Sequence, residues 1–275
     1  ETTLMYLLKT ACATVLGLVT LTGCTKPAEK PTEKPLNNAT STSATTATAA
    51  EGGTKVTIAT ESSFVPFSYK DAQGNLVGFE IDLAHALCTE AKLDCNIISQ
   101  DFDGLIPGLN AKKFDAIMAG MSATPDRQKV VAFSEPYFQN ALVVIGKKGV
   151  DINPNELSGK NVAAQRSTVA AEYLENHFPK AVAKLYDTQE NAYMDLDAGR
   201  AEAIISDKAP DLAWFKSPNG QKFEVKGAPI DIDDKIAIAM RPNDPLIAKF
   251  NTALTTLKGN GTYDKISQKY FADVK

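Results

Sequence analysis

Histidine is scarce in this sequence, which contains only His85 and His177 among its 275 residues. A zinc site built from histidines is therefore nearly excluded, because such a site gathers several of them, and we expect neither a metal nor a cofactor. An excess of positive charge is also lacking, since 29 lysines and arginines stand against 33 acidic residues, a net charge of -4. Nucleic-acid binding through a strongly basic surface is excluded as well.

Cysteine is the other scarce residue, and four cysteines are too few for a small scaffold built from disulfides. A hydrophobic core must therefore carry the fold. The hydrophobic share of 44% is ordinary for globular proteins, so such a core is available. At roughly 150 residues per domain, the length predicts one or two domains.

An apolar stretch near the amino terminus is too short to cross a membrane. One positive charge, Lys9, precedes the apolar run over 10–21, whereas a spanning helix needs about 20 apolar residues. The run fits a secretory signal, and the Leu-Thr-Gly-Cys that ends at Cys24 resembles the lipobox of bacterial lipoproteins. We expect a natural start at Met5, a signal peptide over 1–23 and a lipid on Cys24. An ordinary signal peptide with a chance cysteine is the alternative.

The segment after the lipobox has no hydrophobic periodicity. Prolines are scattered among Lys and Glu, and positions 39–50 contain only Ala, Ser and Thr. Such a composition cannot bury enough apolar area to offset the entropy of ordering. Residues 24–53 are therefore predicted to be a disordered tether, which holds a folded body from about Thr54 close to a membrane surface.

Strands alternate with helices from Thr54 onward, which predicts an α/β fold, and the alternation runs twice, which predicts two lobes. The predicted strands cover 55–60, 96–99, 114–119, 142–145, 161–164, 184–186, 203–206 and 236–240. The predicted helices cover 81–90, 105–112, a turn opened by Thr124-Pro125, 169–178, 190–198, 211–215, 245–257 and 263–270.

An internal echo supports the two lobes. LNAKKFDAIMA over 109–119 aligns without gaps to LDAGRAEAIIS over 196–206. If the echo reflects structure rather than coincidence among helix–strand junctions, both strand ends carry related sites, because ligands of open α/β sheets bind beyond the carboxyl ends of strands.

Groups suited to a carboxylate follow the first echoed strand. Ala119 and Gly120 are small enough for backbone N–H groups to approach a ligand, and Ser122 adds a hydroxyl. Arg127 lies one turn into the next helix, and its guanidinium suits a carboxylate bound through two hydrogen bonds. A salt bridge at the helix start is the alternative interpretation.

Two more polar groups follow strands of the second lobe. Thr168, close after Gln165, is the predicted N-cap of a helix and faces the place where an anion would bind. Asp207 directly follows its strand and can accept from an ammonium group. Both could equally be structural caps. Taken with Arg127, they offer one subsite for an anion and one for a cation, which describes the zwitterion of an amino acid.

Two phenylalanines and two cysteines complete the candidates. Phe64 and Phe102 each follow a strand, where their rings could enclose a flat or cationic side chain, although most phenylalanines are simply core. Cys88 and Cys95 remain once the cysteines near the amino terminus are set aside. In an exported protein they would most often pair, and two buried free thiols are the alternative.

Several long motifs in order are similar to the polar amino-acid-binding proteins of bacterial ABC importers, solute-binding protein family 3. The resemblance covers about 54–275. It implies a two-lobed periplasmic-binding-protein fold of type II, with lobe 1 over 54–141 and 236–275, lobe 2 over 142–235, and two crossing hinge strands. The motifs are TESSFVPF, VGFEIDLAHALC, DFDGLIPGLNAKKFDAIMAGMSATPDRQ, AFSEPYF, NAYMDLDAGRAEAIISD and GNGTYDKISQKYF.

The resemblance also implies roles for individual residues. Ser122, Arg127 and the amides near Gly120 and Thr168 would hold the ligand's α-carboxylate, and Asp207 its α-ammonium, with help from Ser122 and the Gly120 carbonyl. The rings at 64 and 102 would enclose the ligand side chain. The Cys88/Cys95 spacing resembles the disulfide of the lysine-, arginine-, ornithine- and histidine-binding members.

The side-chain end of the ligand is where this chain departs from those members. Glu61 and Glu80 occupy positions where the lysine-, arginine-, ornithine- and histidine-binding members have Asp near the ligand's distal cation. Ala119 and Gly120 occupy positions where some binders of cationic ligands have two serines. Gln165 occupies the position where glutamine-binding members have Lys. Two acidic groups without a nearby Lys favour a cationic ligand, because a buried unpaired carboxylate is costly. We therefore rank arginine first, then lysine, ornithine or histidine, then glutamine.

The resemblance implies a monomeric, non-enzymatic receptor in the periplasm or on the cell surface, which delivers an L-amino acid to the membrane permease of an ABC importer. Two alternatives stay open. Cyclohexadienyl dehydratases resemble this fold and use a carboxyl in the cleft as general acid, a role that Glu61 or Glu80 could fill. A sensor that works through a separate signalling partner is the other.

Overall fold

The computed structural model describes residues 53–272, which belong to one compact unit, Ala49–Lys275. The signal peptide predicted over 1–23, the lipidation predicted at Cys24 and the tether predicted over 24–53 lie outside the described residues, apart from Gly53. Within 53–272, no helix is long and apolar enough to span a membrane, and no cluster of His, Cys, Asp and Glu could hold a metal ion.

The strands and helices follow the predicted alternation, with several changes. The strands are β1 (Thr54–Thr60), β2 (Ser63–Phe64), β3 (Ser68–Lys70), β4 (Leu76–Val77), β5 (Leu93–Ser99), β6 (Ala116–Ile117), β7 (Ala132–Phe133), β8 (Phe138–Lys147), β9 (Asn161–Gln165), β10 (Val182–Tyr186), β11 (Ala203–Asp207), β12 (Phe223–Ile236) and β13 (Ala239–Met240). The helices are α1 (Phe79–Glu90), α2 (Leu105–Asn110), α3 (Pro125–Gln128), α4 (Val169–His177), α5 (Gln189–Asp197), α6 (Lys208–Trp214), α7 (Leu246–Gly259) and α8 (Thr262–Phe271).

Two five-stranded sheets define two α/β lobes. The sheet of the first lobe has the order β5-β1-β6-β13-β7, with β1 parallel to β5 and β6. The sheet of the second lobe has the order β10-β9-β11-β8-β12, with β9 parallel to β10 and β11. Because β1, β9 and β11 are buried strands within parallel pairs, their carboxyl ends open onto the region where a ligand of an α/β sheet binds.

Two antiparallel strands, β8 and β12, connect the lobes. They pair from Phe138 with Ile236 to Lys147 with Phe223, and Ile236 also bridges to Ser122 of the first lobe. The pairing shifts register twice along β12, as expected where a strand bends. The lobe boundaries at 141/142 and 235/236 stay predictions, because both strands run through them.

The single strand predicted over 236–240 is wrong. Ile236 ends β12, whereas Ala239 and Met240 form β13 in the other sheet. Between them, the Ala237 N–H donates to the Met121 carbonyl at 3.1 Å and the Ile238 N–H to Ser134 Oγ at 3.0 Å. The continuous apolar run therefore serves both sheets in turn as the chain crosses from one lobe to the other.

Cys88 and Cys95 form a disulfide, with their Cα atoms 6.1 Å apart. Cys88 lies near the end of α1 and Cys95 in β5, so the bond ties the helix to the edge strand of the first sheet. Of the two alternatives left open by the sequence, the disulfide is therefore the one that the structure shows.

Candidate functional site

Strand ends from both lobes meet around a narrow, largely enclosed cavity. β1 leads into Glu61, β6 leads into the turn over 119–122, and β9 and β11 end in Gln165 and Asp207. A cavity lined by a few convergent polar groups and aromatic rings from two lobes suits a small molecule. The residues that line it are Glu61, Phe64, Phe102, Ala119, Gly120, Ser122, Arg127, Gln165, Thr168, Val169, Ala170, Gln189, Ser206 and Asp207.

The structure thus brings together every binding residue predicted from the sequence except Glu80. Their roles toward a ligand stay predictions, but their convergence is a fact of the fold. Sequence reasoning missed Val169, Ala170, Gln189 and Ser206. Ser206 directly precedes Asp207 at a strand end, and Gln189 follows the N-cap of α5, so the local pattern contained a signal for both.

Arg127 extends from the short helix α3 into the cavity. Thr124 caps this helix, its Oγ1 accepting from the Arg127 N–H at 3.3 Å, and Pro125 occupies the first turn. The guanidinium donates from Nη1 to the Ser122 carbonyl and from Nη2 to the Ser167 carbonyl, both at 2.9 Å. It also lies 5.6 Å from the centre of the Phe102 ring. Arg127 therefore links the two lobes.

Burial lowers the pKa of Arg127, an effect opposed by the negative charges of Glu172, Asp234 and Asp207. A guanidinium nevertheless stays charged, because its ordinary pKa is far above neutrality. It is the one cationic side chain among the residues that line the cavity. This arrangement leaves a fixed positive charge ready for a carboxylate.

Asp207 ends β11 on the opposite lobe, and it belongs to a cluster at the hinge. Asn140 Nδ2 donates to Asp207 Oδ1 at 2.6 Å and to Asp234 Oδ2 at 2.7 Å, so one amide joins two carboxyl groups. Burial and the charge of Asp234 raise the pKa of Asp207 to about 7, against the lowering effects of Asn140 and Arg127. A cation that enters the cavity would stabilise the ionised form.

Glu61 lies on the first lobe and contacts the second. Its Oε1 accepts from Ser63 Oγ at 3.0 Å and from Gln165 Nε2 at 2.9 Å, and Gln165 Nε2 also donates to the Asp187 carbonyl at 3.1 Å. Burial raises the pKa of Glu61 to about 7, although both hydrogen bonds lower it. A cationic ligand side chain would compensate this desolvated carboxyl group.

Glu80 is not among the residues that line the cavity, and its role toward the ligand's distal cation stays a prediction. It is 0% exposed, and its Oε1 accepts from the Gly120 N–H at 2.6 Å and from the Tyr137 hydroxyl. Burial raises the pKa of Glu80 to about 7, while Tyr137, Gly120 and Ser68 lower it. Glu80 therefore supports the cavity wall from behind, through Gly120.

Gly120 adopts φ +59°, a conformation that side chains rarely take. A Cβ at this position would lie 2.7 Å from the Phe64 ring, so only glycine lets the ring close over the turn. Phe64 is buried at 6% exposure and Phe102 at 8%. Both rings line the cavity, and both also belong to hydrophobic clusters of the first lobe. The ligand-facing and core interpretations of these rings are therefore compatible.

Thr168 caps α4, as predicted. Its Oγ1 accepts from the Ala171 N–H at 3.2 Å and donates to the Gln165 carbonyl at 2.7 Å. Both hydrogen bonds of the hydroxyl are therefore made within the protein. The first N–H groups of the helix lie at its positively polarised end, where an anion would be stabilised. Any contribution of Thr168 to anion binding comes from the backbone rather than from the side chain.

Contacts across the cavity show that the lobes are closed. Besides the Arg127–Ser167 and Gln165–Glu61 hydrogen bonds, Arg166 of the second lobe lies 3.7 Å from Asp103 of the first and pairs with Asp187. The Arg166 pairs are partly exposed and contribute at most about 1 kcal/mol. The closed arrangement therefore depends more on the buried groups between the lobes, among them the Gln165–Glu61 hydrogen bond.

Two α/β lobes closed around a polar cavity and joined by two crossing strands define a type II periplasmic binding protein. The family model for bacterial extracellular solute-binding proteins, family 3, matches residues 56–273. The chain belongs to this family.

Individual relatives extend over nearly all of the folded part. The chain is 37% identical over 225 residues to ABC transporter arginine-binding protein 1 of Escherichia coli strain K12, covering 81% of this chain and 93% of the relative. The solved structure of an ancestral arginine-binding protein bound to arginine superimposes with a TM-score of 0.77 at 35% identity, over 80% of this chain and 99% of the other. An ancestral arginine-binding protein bound to glutamine gives 0.76 at 36% identity, over 80% and 98%.

Proposed function

We propose that the protein is a receptor for a polar L-amino acid, with arginine favoured and lysine, ornithine or histidine next. The observation that carries this proposal is the set of charged groups around the cavity: one guanidinium, Arg127, and two carboxyl groups, Asp207 and Glu61. These groups lie on both lobes, so a ligand between them would contact each lobe. Closure would then be coupled to ligand binding.

The charges favour a cationic side chain. An amino-acid zwitterion brings one carboxylate for Arg127 and one ammonium for Asp207, which leaves Glu61 without a cation. An ionised carboxyl group buried without a partner is costly, and the cavity lining contains no second cationic residue. A guanidinium or ammonium at the end of the ligand side chain would supply the missing charge, and the rings of Phe64 and Phe102 would bound the aliphatic part.

Glutamine is the alternative ligand within the same class. Gln165 already donates to Glu61 at 2.9 Å, and burial raises the Glu61 pKa to about 7. A neutral Glu61 could donate a hydrogen bond to a ligand amide or accept one from it. Glu61→Gln separates the two ligands. We expect this variant to weaken arginine binding about tenfold or more while changing glutamine binding little.

The ligand itself is identified by a thermal-shift screen of the twenty amino acids with ornithine and citrulline. Stabilisation by a tight ligand follows mass action and reaches about 2.7 kcal/mol at a hundredfold excess over Kd. We expect arginine to give the largest shift. A screen in which no amino acid raises the unfolding temperature would refute the proposal.

Anchoring and delivery extend this proposal beyond the folded body. We infer a lipid on Cys24, a tether over 24–53 and transfer of the ligand to the permease of an ABC importer, with the receptor in the periplasm or at the cell surface. The lipobox-like sequence supports the anchor, and the similarity to an ABC transporter arginine-binding protein supports the permease. Cys24→Ala should move the protein from the membrane fraction to the soluble fraction, and an unchanged distribution would contradict the anchor.

An enzymatic role rests on one observation, the raised pKa of Glu61 in the cavity, which would suit a general acid. Incubation with prephenate and arogenate tests it. We expect no aromatic product, because the cavity presents groups for both ends of a zwitterion. Steady turnover that is lost in Glu61→Gln would favour the dehydratase alternative instead.

A further inference from the structure

Gln189 is a cavity residue without an assigned partner. It is the first residue of α5, directly after the N-cap Thr188, whose Oγ1 accepts from the Asn191 N–H at 3.2 Å. The side chain lines the cavity and is 3% exposed. Its Nε2 is buried and has no hydrogen-bond partner among residues 53–272.

The polar groups behind Gln189 are already paired with one another. The Tyr193 hydroxyl donates to Asp211 Oδ1, and Ser206 Oγ donates to Asp211 Oδ2, both at 2.6 Å. The Gln189 side chain lies close enough to the Tyr193 hydroxyl to lower the pKa of Tyr193, but within the described part of the chain no hydrogen bond of ordinary length and angle pairs its Nε2. This wall of the second lobe therefore offers Gln189 no well-formed acceptor.

The other glutamine of the cavity makes the contrast clear. Gln165 Nε2 donates to Glu61 Oε1 at 2.9 Å and to the Asp187 carbonyl at 3.1 Å, so its donors are used within the protein. Buried polar side-chain atoms are paired in the large majority of cases, and each exception calls for an explanation. Of the four buried side-chain atoms left unpaired among residues 53–272, Gln189 Nε2 is the one that belongs to a residue lining the cavity.

We propose that Gln189 is a further ligand-binding residue, whose side-chain amide pairs with the polar end of the ligand side chain. This inference rests on the proposed function. The two charged ends of the zwitterion already have Arg127 and Asp207, which leaves the side-chain end for Gln189. A primary amide can present either its N–H groups or its carbonyl after a half-turn, so it suits a guanidinium, ureido or amide group.

The test compares Gln189→Met with Gln165→Met in the full chain, using calorimetric titration with L-arginine and L-glutamine and thermal unfolding without ligand. We expect Q189M to weaken binding of the tighter of the two ligands at least about tenfold. Its unfolding temperature without ligand should stay within about 2 °C of wild type, because no described hydrogen bond is lost. Q165M should lower that temperature, because it removes the hydrogen bonds to Glu61 and to the Asp187 carbonyl.

Gln189→Asn is the second variant, because it keeps the amide but withdraws it from the cavity by one methylene. It too should weaken binding without a loss of stability. If the wild-type protein binds arginine or glutamine and both Q189M and Q189N bind it within threefold of wild type, the role of Gln189 is overturned and the receptor proposal stays intact. A wild-type chain that binds neither amino acid would overturn both.

Discussion

Replacing Arg127 tests how the two lobes share one ligand. Arg127→Ala removes the hydrogen bonds to the Ser122 and Ser167 carbonyls, each 2.9 Å long, and the contact with the Phe102 ring. The carbonyl groups of Ser122 and Ser167 each keep a second lone pair for water or backbone partners. The larger loss is that the ligand carboxylate would be buried without a cation.

Breaking a buried ion pair by removing one partner costs about 3–5 kcal/mol, which corresponds to a loss of roughly 150- to 5,000-fold in affinity. Arg127→Lys keeps the charge, but an ammonium cannot serve a carboxylate and two carbonyl groups in the planar geometry of a guanidinium. We expect the affinity of Arg127→Lys for arginine to lie between those of the wild type and Arg127→Ala, about 1–2 kcal/mol weaker than wild type.

Isothermal titration calorimetry with L-arginine measures these differences, and Arg200→Ala is the matched control. Arg200 is exposed and pairs with Asp195 on the outside of the second lobe, so its loss should leave the affinity unchanged. If Arg127→Ala bound arginine within about tenfold of wild type, the carboxylate would not lie at this guanidinium, and the orientation of the ligand would be refuted.

Three further predictions concern pH, the support behind the cavity and the disulfide. Burial raises the pKa of Asp207 from 3.8 to about 7, so the folded chain without ligand should become less stable as the pH rises from about 4 to about 7. Arginine binding should tighten over the same interval, because the ligand ammonium needs the ionised carboxylate. Thermal unfolding and calorimetric titrations at several pH values measure both effects, and an affinity that does not change with pH would contradict the assignment. Glu80→Gln should preserve arginine binding within a few-fold, because the new side-chain carbonyl still accepts from the Gly120 N–H. Glu80→Leu should weaken arginine and glutamine binding alike by about tenfold or more. A selective loss of arginine binding in Glu80→Gln would show instead that the negative charge itself acts on the ligand. Replacing Cys88 and Cys95 by Ser should lower the unfolding free energy by about 2 kcal/mol, as expected for a short closed loop, without changing affinity; denaturant titration measures this loss, and unchanged stability would mean that the disulfide contributes nothing.

Local chemistry made much of the site predictable. Thr124, Pro125 and Arg127 follow the rules for a helix start, so the position of the guanidinium could be inferred within one turn. Asp207 and Gln165 end strands, and strand ends of an α/β sheet converge on one edge. These inferences needed only the sequence within a few residues of each group.

The features that local sequence could not reveal depend on contacts between residues distant in sequence. Glu80 lies in the first turn of α1 and Gly120 is 40 positions later, so nothing near Glu80 indicated that its carboxyl group turns toward a backbone N–H. The strand β12 was missed because Gly227 and Pro229 interrupt its pattern as a turn would. Pairing with β8 overrides that local signal, and the irregular part becomes the shift in register after Lys226.

The most direct test of the central claim compares calorimetric binding of L-arginine, agmatine and Nα-acetyl-L-arginine to the full chain. Agmatine lacks the carboxylate that we assign to Arg127, and the acetylated form lacks the ammonium that we assign to Asp207. We predict one binding site for L-arginine and affinities weaker by about a hundredfold or more for each of the other two. Agmatine binding as tight as that of arginine, or no binding of L-arginine, would contradict the account.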